Sequence, residues 1–268
     1  MSTLQKSFIK NFIFISLFFY LPFQSMGWGM LGHRIVGQVA DSYLTPKARL
    51  AVQQILGTES IAMASNWPDF IKSDPAYSYL SSWHYINVPE GLNYPDFQSF
   101  LKKDTATDAY TKLNFIIKEL KNKGLPKDKK LFYLRLLIHI VGDVHQPLHV
   151  SGRAQGGNQV KVLWFNQQTN LHSVWDEKLI DYQQLSYTEY TKAINHTTAA
   201  QRKKWQQEPI SKWLYDSYTI SEKLFPEITE PDQKLSYRYN FDHIATLNQQ
   251  LLKGGVRLAG LLNQVFGK

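Results

Sequence analysis

The chain has 268 residues, 43% of them hydrophobic and 19% charged, which is enough for one compact domain with a real core and too apolar for a disordered chain. Its formal charge of +8 suits a polyanionic partner such as nucleic acid without establishing one. The absence of cysteine excludes a disulfide scaffold and any metal site built on thiolates.

Residues 1–27 read as a secretory signal peptide. Lys6 and Lys10 precede an apolar run over 12–21, and Ser25, Met26 and Gly27 end the segment where a signal peptidase reads small residues. The run is too short for a permanent span; an uncleaved anchor is the alternative. The mature chain, 28–268, is expected to begin at Trp28, to work in the periplasm or outside the cell, and to have no stable membrane association. Loss of the two leader lysines lowers its formal charge from +8 to +6. With no disulfides available, such an exported fold must be held by packing and by any metal it binds.

In chain order, Ile35 to Leu44 carries a helical apolar pattern, and Thr45-Pro46 supplies a cap and first-turn proline for a second helix over 47–56, stopped by Gly57. Asp69 follows Pro68, where the first turn of a helix is favoured, and Lys72 comes three residues later. The aromatic, β-branched stretch 83–88 before Pro89 is expected to be extended or irregular. Helices are expected over 108–121 and 128–144, with the lysines between 118 and 130 forming a solvated face. The alternation in 159–164 predicts a strand, turned back by the polar stretch 166–170 as a small hairpin. The remainder is helical in spacing, rich in aromatics that suit a core, and ends in a stripe of Ile244, Leu247, Leu251, Leu258 and Leu262. Asn195-His196-Thr197 is a formal glycosylation sequon. The fold class is therefore mainly α: a single compact helical domain with a small β-hairpin.

The chemistry is concentrated in the stretch 139–176. His139 and Asp143 stand four apart in an apolar helix and share one face; Pro147 ends that helix, so His149 projects from a new backbone direction. His172 and Asp176 repeat the four-residue spacing. One buried histidine is more often a hydrogen-bonded core residue than a ligand. Two such pairs in segments rich in Leu, Ile, Val and Trp point instead to metal, because burying several ionisable groups together is costly unless they pair or coordinate. The candidate ligands are His33, Asp69, His84, His139, Asp143, His149, His172 and Asp176, too many for one ion, and imidazoles with carboxylates suit catalytic zinc. Neighbouring metal ions that activate water and clamp the oxygens of an in-line displacement at phosphorus make phosphoester hydrolysis the natural reaction.

The motifs Trp28-Gly-x-x-Gly-His33, Trp67-x-Asp69, Trp83-His84-Tyr85-Ile-Asn87, His139-x-x-x-Asp143-x-His-Gln-Pro-Leu-His149, Gly156-Gly157-Asn158 and Asn170-Leu-His172-x-x-Trp-Asp176 resemble the zinc-dependent single-strand-specific nucleases of the nuclease S-one and nuclease P-one type. The resemblance continues to Gly255-Val-Arg-Leu-Ala. It implies a trinuclear zinc site in a mainly helical fold. Asp69, His84, His139 and Asp143 would hold the first Zn2+; His149, His172 and Asp176 the second; Trp28 (through its free amine and carbonyl oxygen), His33 and the bridging Asp143 the third. Asp69 and Asp143 count as catalytic through those ions, and Lys72 would neutralise charge at the phosphate. Tyr85, Asn87, Gly156, Gly157 and Asn158 would form a base pocket, while His145 falls outside the set.

The implied function is an endonuclease and 3′-nucleotidase acting as a monomer on single-stranded DNA, RNA and 3′-nucleotides, leaving 5′-phosphates. A base that must be unstacked at a cost of about a few kcal/mol explains single-strand preference. Asn87 stands where fungal members carry an acidic residue, and the disulfides of fungal and plant members are absent. A zinc phospholipase C and a non-catalytic zinc- or nucleic-acid-binding protein are the alternatives.

Overall fold

The computed structural model describes residues 28–267; the expected signal peptide lies outside them. Helices dominate, as the apolar spacing predicts. α1 (Met30–Ser42), α2 (Pro46–Leu56) and the short α3 (Ile61–Ala64) and α4 (Trp67–Ile71) lead to a 3-10 segment, Pro75–His84. α5 (Tyr94–Lys103), α6 (Ala109–Leu120) and α7 (Lys127–Asp143) follow, then two short 3-10 turns, Pro147–Val150 and Arg153–Gln155. The C-terminal half holds the short α8 (Leu171–Ser173) and α9 (Leu179–Asp181) on either side of a π-helical turn, Val174–Lys178, and then α10 (Tyr187–Ile194), α11 (Ala199–Gln207), α12 (Ile210–Leu224) and α13 (Tyr237–Phe266).

Local chemistry explains the boundaries. Thr45 caps α2, its hydroxyl accepting from the amide of Ala48, with Pro46 at the first helical position. Asp108 and Thr111 close a reciprocal capping box on α6. α7 enters the core progressively: its N-terminal half carries exposed lysines, while every residue from Leu136 to Asp143 is buried. That gradient brings His139 and Asp143 into the interior.

The β-structure is larger than the expected hairpin. β1 (Lys161–Trp164) and β2 (Gln167–Asn170) pair antiparallel across a two-residue turn in which Phe165 and Asn166 both have positive φ, 47° and 68°, the conformation that suits the twist of a tight hairpin. β3 (Gln233–Leu235) adds to the other edge, parallel to β1, with Leu163 opposite Lys234. A three-residue strand has too little alternation to be read from sequence.

α13 lies along α1 and α11 and also touches α2 and α7, so the terminal apolar stripe closes one continuous core. Within that core Arg257 is fully buried. Its guanidinium donates to Nε2 of His145 at 2.9 Å and to the carboxylates of Glu208 and Asp216 at 2.6 Å each. His145 Nδ1–H donates to the Val141 carbonyl at 2.7 Å, and Gln250 donates to the His145 carbonyl at 2.8 Å. These bonds fix the end of α7. No helix among the described residues is long and apolar enough to cross a membrane.

Candidate active site

The end of α7 is where the candidate ligands gather. His33 comes from α1, Asp69 from α4, His84 from the end of the Pro75–His84 segment, His139 and Asp143 from α7, and His149 from the turn after Pro147. His172 is on α8 and Asp176 on the π-helical turn. All but Asp69 are buried as whole residues, and the Asp69 side chain is only 5% exposed.

Asp143 is the centre. One carboxylate oxygen lies 3.4 Å from His33 Nε2; the other lies 3.1 Å from His84 Nδ1 and 3.3 Å from His139 Nε2. His33 stacks on His139 with ring centroids 3.8 Å apart. It fits there because Gly142 has no side chain: a Cβ on that residue would stand 2.7 Å from His33 Nδ1. A second cluster sits beside the first, with His172 Nε2 2.9 Å from Asp176 and His149 Nε2 3.9 Å from it.

Backbone carbonyls set the tautomers. His139 Nδ1–H donates to Ser65, His149 Nδ1–H to His84 and His172 Nδ1–H to Gly156, each at 2.6 Å. In all three the proton is held on Nδ1 and the lone pair of Nε2 faces the cluster, the arrangement that prepares an imidazole as a ligand. Burial lowers His139 to about 3 and also lowers His149, so both are neutral near pH 7. Burial alone would raise Asp143, but His139, with His33 and His84 beside it, outweighs that and holds the carboxyl well below its usual range. Asp69 is lowered in the same way, by His139 and Lys72 against its burial.

The donor set fits metal ions. Ligand atoms fall into three groups, the atoms of each within 4.8 Å of one another: His33, Asp69 and His139; His84, His139 and Asp143; His149, His172 and Asp176, the first two sharing His139. Both ring nitrogens of His33, Nε2 of His84, Oδ2 of Asp69 and Oδ1 of Asp143 are buried without a hydrogen-bond partner among the described residues. So many orphaned polar atoms in one place would be costly in a closed core. Trp28 lies against the same spot: its indole is within 3.6 Å of a Cβ placed on Gly142, and the next amide, Gly29 N–H, donates to the Asp176 carbonyl at 2.9 Å. His33 groups with Asp69 and His139 and also lies 3.4 Å from Asp143, so ligands of the first and third expected sites interleave.

A cleft of about 770 Å3 opens over these groups, with Lys72, Tyr85, Asn87, Gly156, Asn158 and His172 on its walls. Lys72 Nζ donates to Asp69 at 2.6 Å. The stretch expected to be extended from 83 becomes so only after His84, because Trp83 and His84 close the 3-10 segment: Ile86 N–H donates to the His149 carbonyl at 2.9 Å and Gly152 N–H to Val88 at 3.0 Å. Alternation along it buries His84, Ile86 and Val88 and turns Tyr85 and Asn87 to the cleft. The opposite wall is a left-handed turn. Ala154, Gln155, Gly156 and Gly157 all have positive φ, and a Cβ on Gly156 would meet the Leu148 carbonyl at 2.6 Å. Gly157 is buried behind the wall rather than on the cleft surface.

The sequence reading did not single out Gln146, which donates to Asp176 and accepts from the amide of Leu148, or Lys161, which lines the cleft from the start of β1. The signal for Gln146 was its place between His145 and Pro147; nothing marked Lys161. His145 faces Arg257, away from the ligand groups.

The chain is similar to known proteins. The chain is 29% identical to Endonuclease 3 of Arabidopsis thaliana, covering 89% of each protein. It is 31% identical to Nuclease P1 of Penicillium citrinum over 90% of this chain and 98% of that one, and equally so to Nuclease PA3 of Penicillium sp. The described structure, its clustered histidines and aspartates and its cleft coincide with a match to S1/P1 Nuclease over residues 28–267, and the chain belongs to that family.

Proposed function

We propose that this nuclease holds three zinc ions in its clustered histidines and aspartates and hydrolyses single-stranded DNA, RNA and 3′-nucleotides to products bearing 5′-phosphates. The observation that carries the reading is the coincidence of three ligand groups, orphaned buried donor atoms and a cleft walled by Lys72, Tyr85 and Asn87. Asp69, His84, His139 and Asp143 would hold one ion, His149, His172 and Asp176 another, and Trp28, His33 and Asp143 the third. Bound zinc supplies Lewis-acid chemistry: it activates water and offsets negative charge on the phosphate oxygens.

The chain's own groups do the rest. Asp143, ionised and central, binds the first and third groups into one unit. Lys72, anchored by Asp69, brings an ammonium to the cleft wall where the phosphate must lie, positioned before the reaction begins. Tyr85 offers a ring face to a base, and Asn87 and Asn158 offer amides to its edge. Water adds to phosphorus as the bond to O3′ breaks, leaving a 3′-hydroxyl on one fragment and a 5′-phosphate on the other. A paired base cannot reach Tyr85 without leaving its stack, which is the physical basis for preferring single strands. The phospholipase alternative gives way because each relative named above is called a nuclease or an endonuclease.

A signal peptide over 1–27, cleaved before Trp28, is part of the proposal, supported by the family match starting at that residue. It places the mature enzyme in the periplasm or outside the cell. Action as a monomer is part of the same proposal. The test is digestion of one sequence as single strand and as duplex, with end-group analysis and phosphate release from a 3′-nucleotide. Preferential single-strand cleavage to 5′-phosphates is expected; equal duplex cleavage or 3′-phosphate ends would overturn the reading.

A further inference from the structure

Beside the cleft lies a chain of partly exposed aromatic rings that the catalytic groups do not use. Trp67 meets Tyr77 and Phe132 edge-on at 5.8 and 5.7 Å, and Tyr77 continues to Tyr79 at 6.5 Å with ring planes only 24° apart. Phe132 leads on to Tyr133 at 5.4 Å, and Tyr133 to Phe115 at 5.7 Å. Tyr79 is 52% and Phe115 40% exposed, far more than rings placed only to fill a core.

Cations are interleaved with the rings. Lys112 Nζ lies 4.9 Å from the Trp83 ring centre and 5.6 Å from that of Phe115, and Lys129 lies 5.9 Å from that of Phe132. Exposed rings with lysines between them form the surface that a polyanion with flat, unpaired bases recognises, bases stacking and ammonium groups meeting phosphates. Continuity with the cleft selects the same occupant. Tyr77 and Tyr79 stand on the segment that carries Ser81 to the cleft wall and ends in His84, and Trp67 shares α4 with Asp69. Along a 3-10 helix rising about 2 Å per residue, Tyr79 is only about 4 Å in axial distance from Ser81.

We propose that this aromatic face is an extended subsite for a single-stranded nucleic acid, holding nucleotides beyond those at the cleaved bond. The proposal rests on the nuclease reading above and adds to it a preference for chain length. A dinucleotide ends inside the cleft and gains nothing from the face; a longer strand crosses Tyr79 and Phe115.

The experiment compares kcat/KM for a dinucleotide and for a single-stranded 20-mer in the wild type, Tyr79→Ala, Phe115→Ala and Tyr79→Trp. Each alanine variant should keep the wild-type dinucleotide rate, which also shows that it folds, while its KM for the 20-mer rises about tenfold, within the range that loss of one stacked base produces. Tyr79→Trp should restore it. Unchanged 20-mer kinetics in both alanine variants, or equal losses on both substrates, would overturn the subsite. A wild type that cleaves neither substrate would count against the active-site reading as well.

Discussion

Two buried polar clusters meet at the C-terminal end of α7, and they are built on opposite plans. Around Arg257, two terminal guanidinium nitrogens meet two carboxylates and an imidazole, and Gln250 and Ser217 take up the carbonyls of His145 and Val144. Cation and anion are both present and only Arg257 Nε lacks a partner among the described residues, so that cluster is closed in charge. Around Asp143, one carboxylate faces three imidazoles, burial holds His139 neutral, and buried nitrogens and oxygens of His33, His84, Asp69 and Asp143 lack partners among the described residues. That cluster is open. A closed network specifies a fold; an open one of the same residue types suits a set of metal ligands.

The largest expected effect comes from breaking the open cluster at its centre. Asp143→Asn should lower turnover more than about a hundredfold, beyond the 10–100-fold that outer-shell changes cost, and should reduce bound zinc; wild-type turnover would remove Asp143 from its bridging role. Next, Gln146→Ala should weaken zinc binding by about 10–100-fold without unfolding the protein, because Gln146 only orients Asp176. Competition with a chromogenic chelator measures this.

The closed cluster should respond the other way. Arg257→Met leaves Glu208, Asp216 and His145 without their common donor and should cost about 3 kcal/mol or more in denaturant unfolding, while zinc content per folded chain stays unchanged. Loss of zinc at unchanged stability would show that the two clusters are not separate.

A smaller effect is acid sensitivity. Burial, with Arg257 beside it, lowers His145 from the ordinary 6.5 to about 3. The unfolded chain therefore binds the extra proton first, and the stability tied to a neutral His145, complete above about pH 6.5, is lost as pH falls from there toward 3. His145→Gln should flatten that part of the stability profile; an unchanged slope would place the acid sensitivity elsewhere.

The two clusters also differ in how far the sequence reveals them. The open one announces itself, because His139 with Asp143 and His172 with Asp176 repeat one helical spacing in apolar surroundings. The closed one is invisible in the linear chain: Arg257 and His145 are far apart, and an arginine in an apolar helix shows no sign of its partners. Similarly, α2 and α7 could be read from caps and apolar period, whereas β3 depends on an edge that only the folded hairpin offers. Gly156 and Gly157 are legible in the sequence only as part of the base pocket that the resemblance implies, not as the left-handed turn they form. That turn, and its task of presenting the Gly156 carbonyl to His172, needed the tertiary fold.

The account's central claim is that the open cluster is a zinc centre and the seat of hydrolysis. The most direct test is elemental analysis of protein beginning at Trp28, with single-strand cleavage assayed before chelation, after chelation and after zinc is returned. Three zinc ions per chain, activity lost on removal and activity regained with the metal are the expected results. Undiminished cleavage by protein shown to contain no metal would contradict the account.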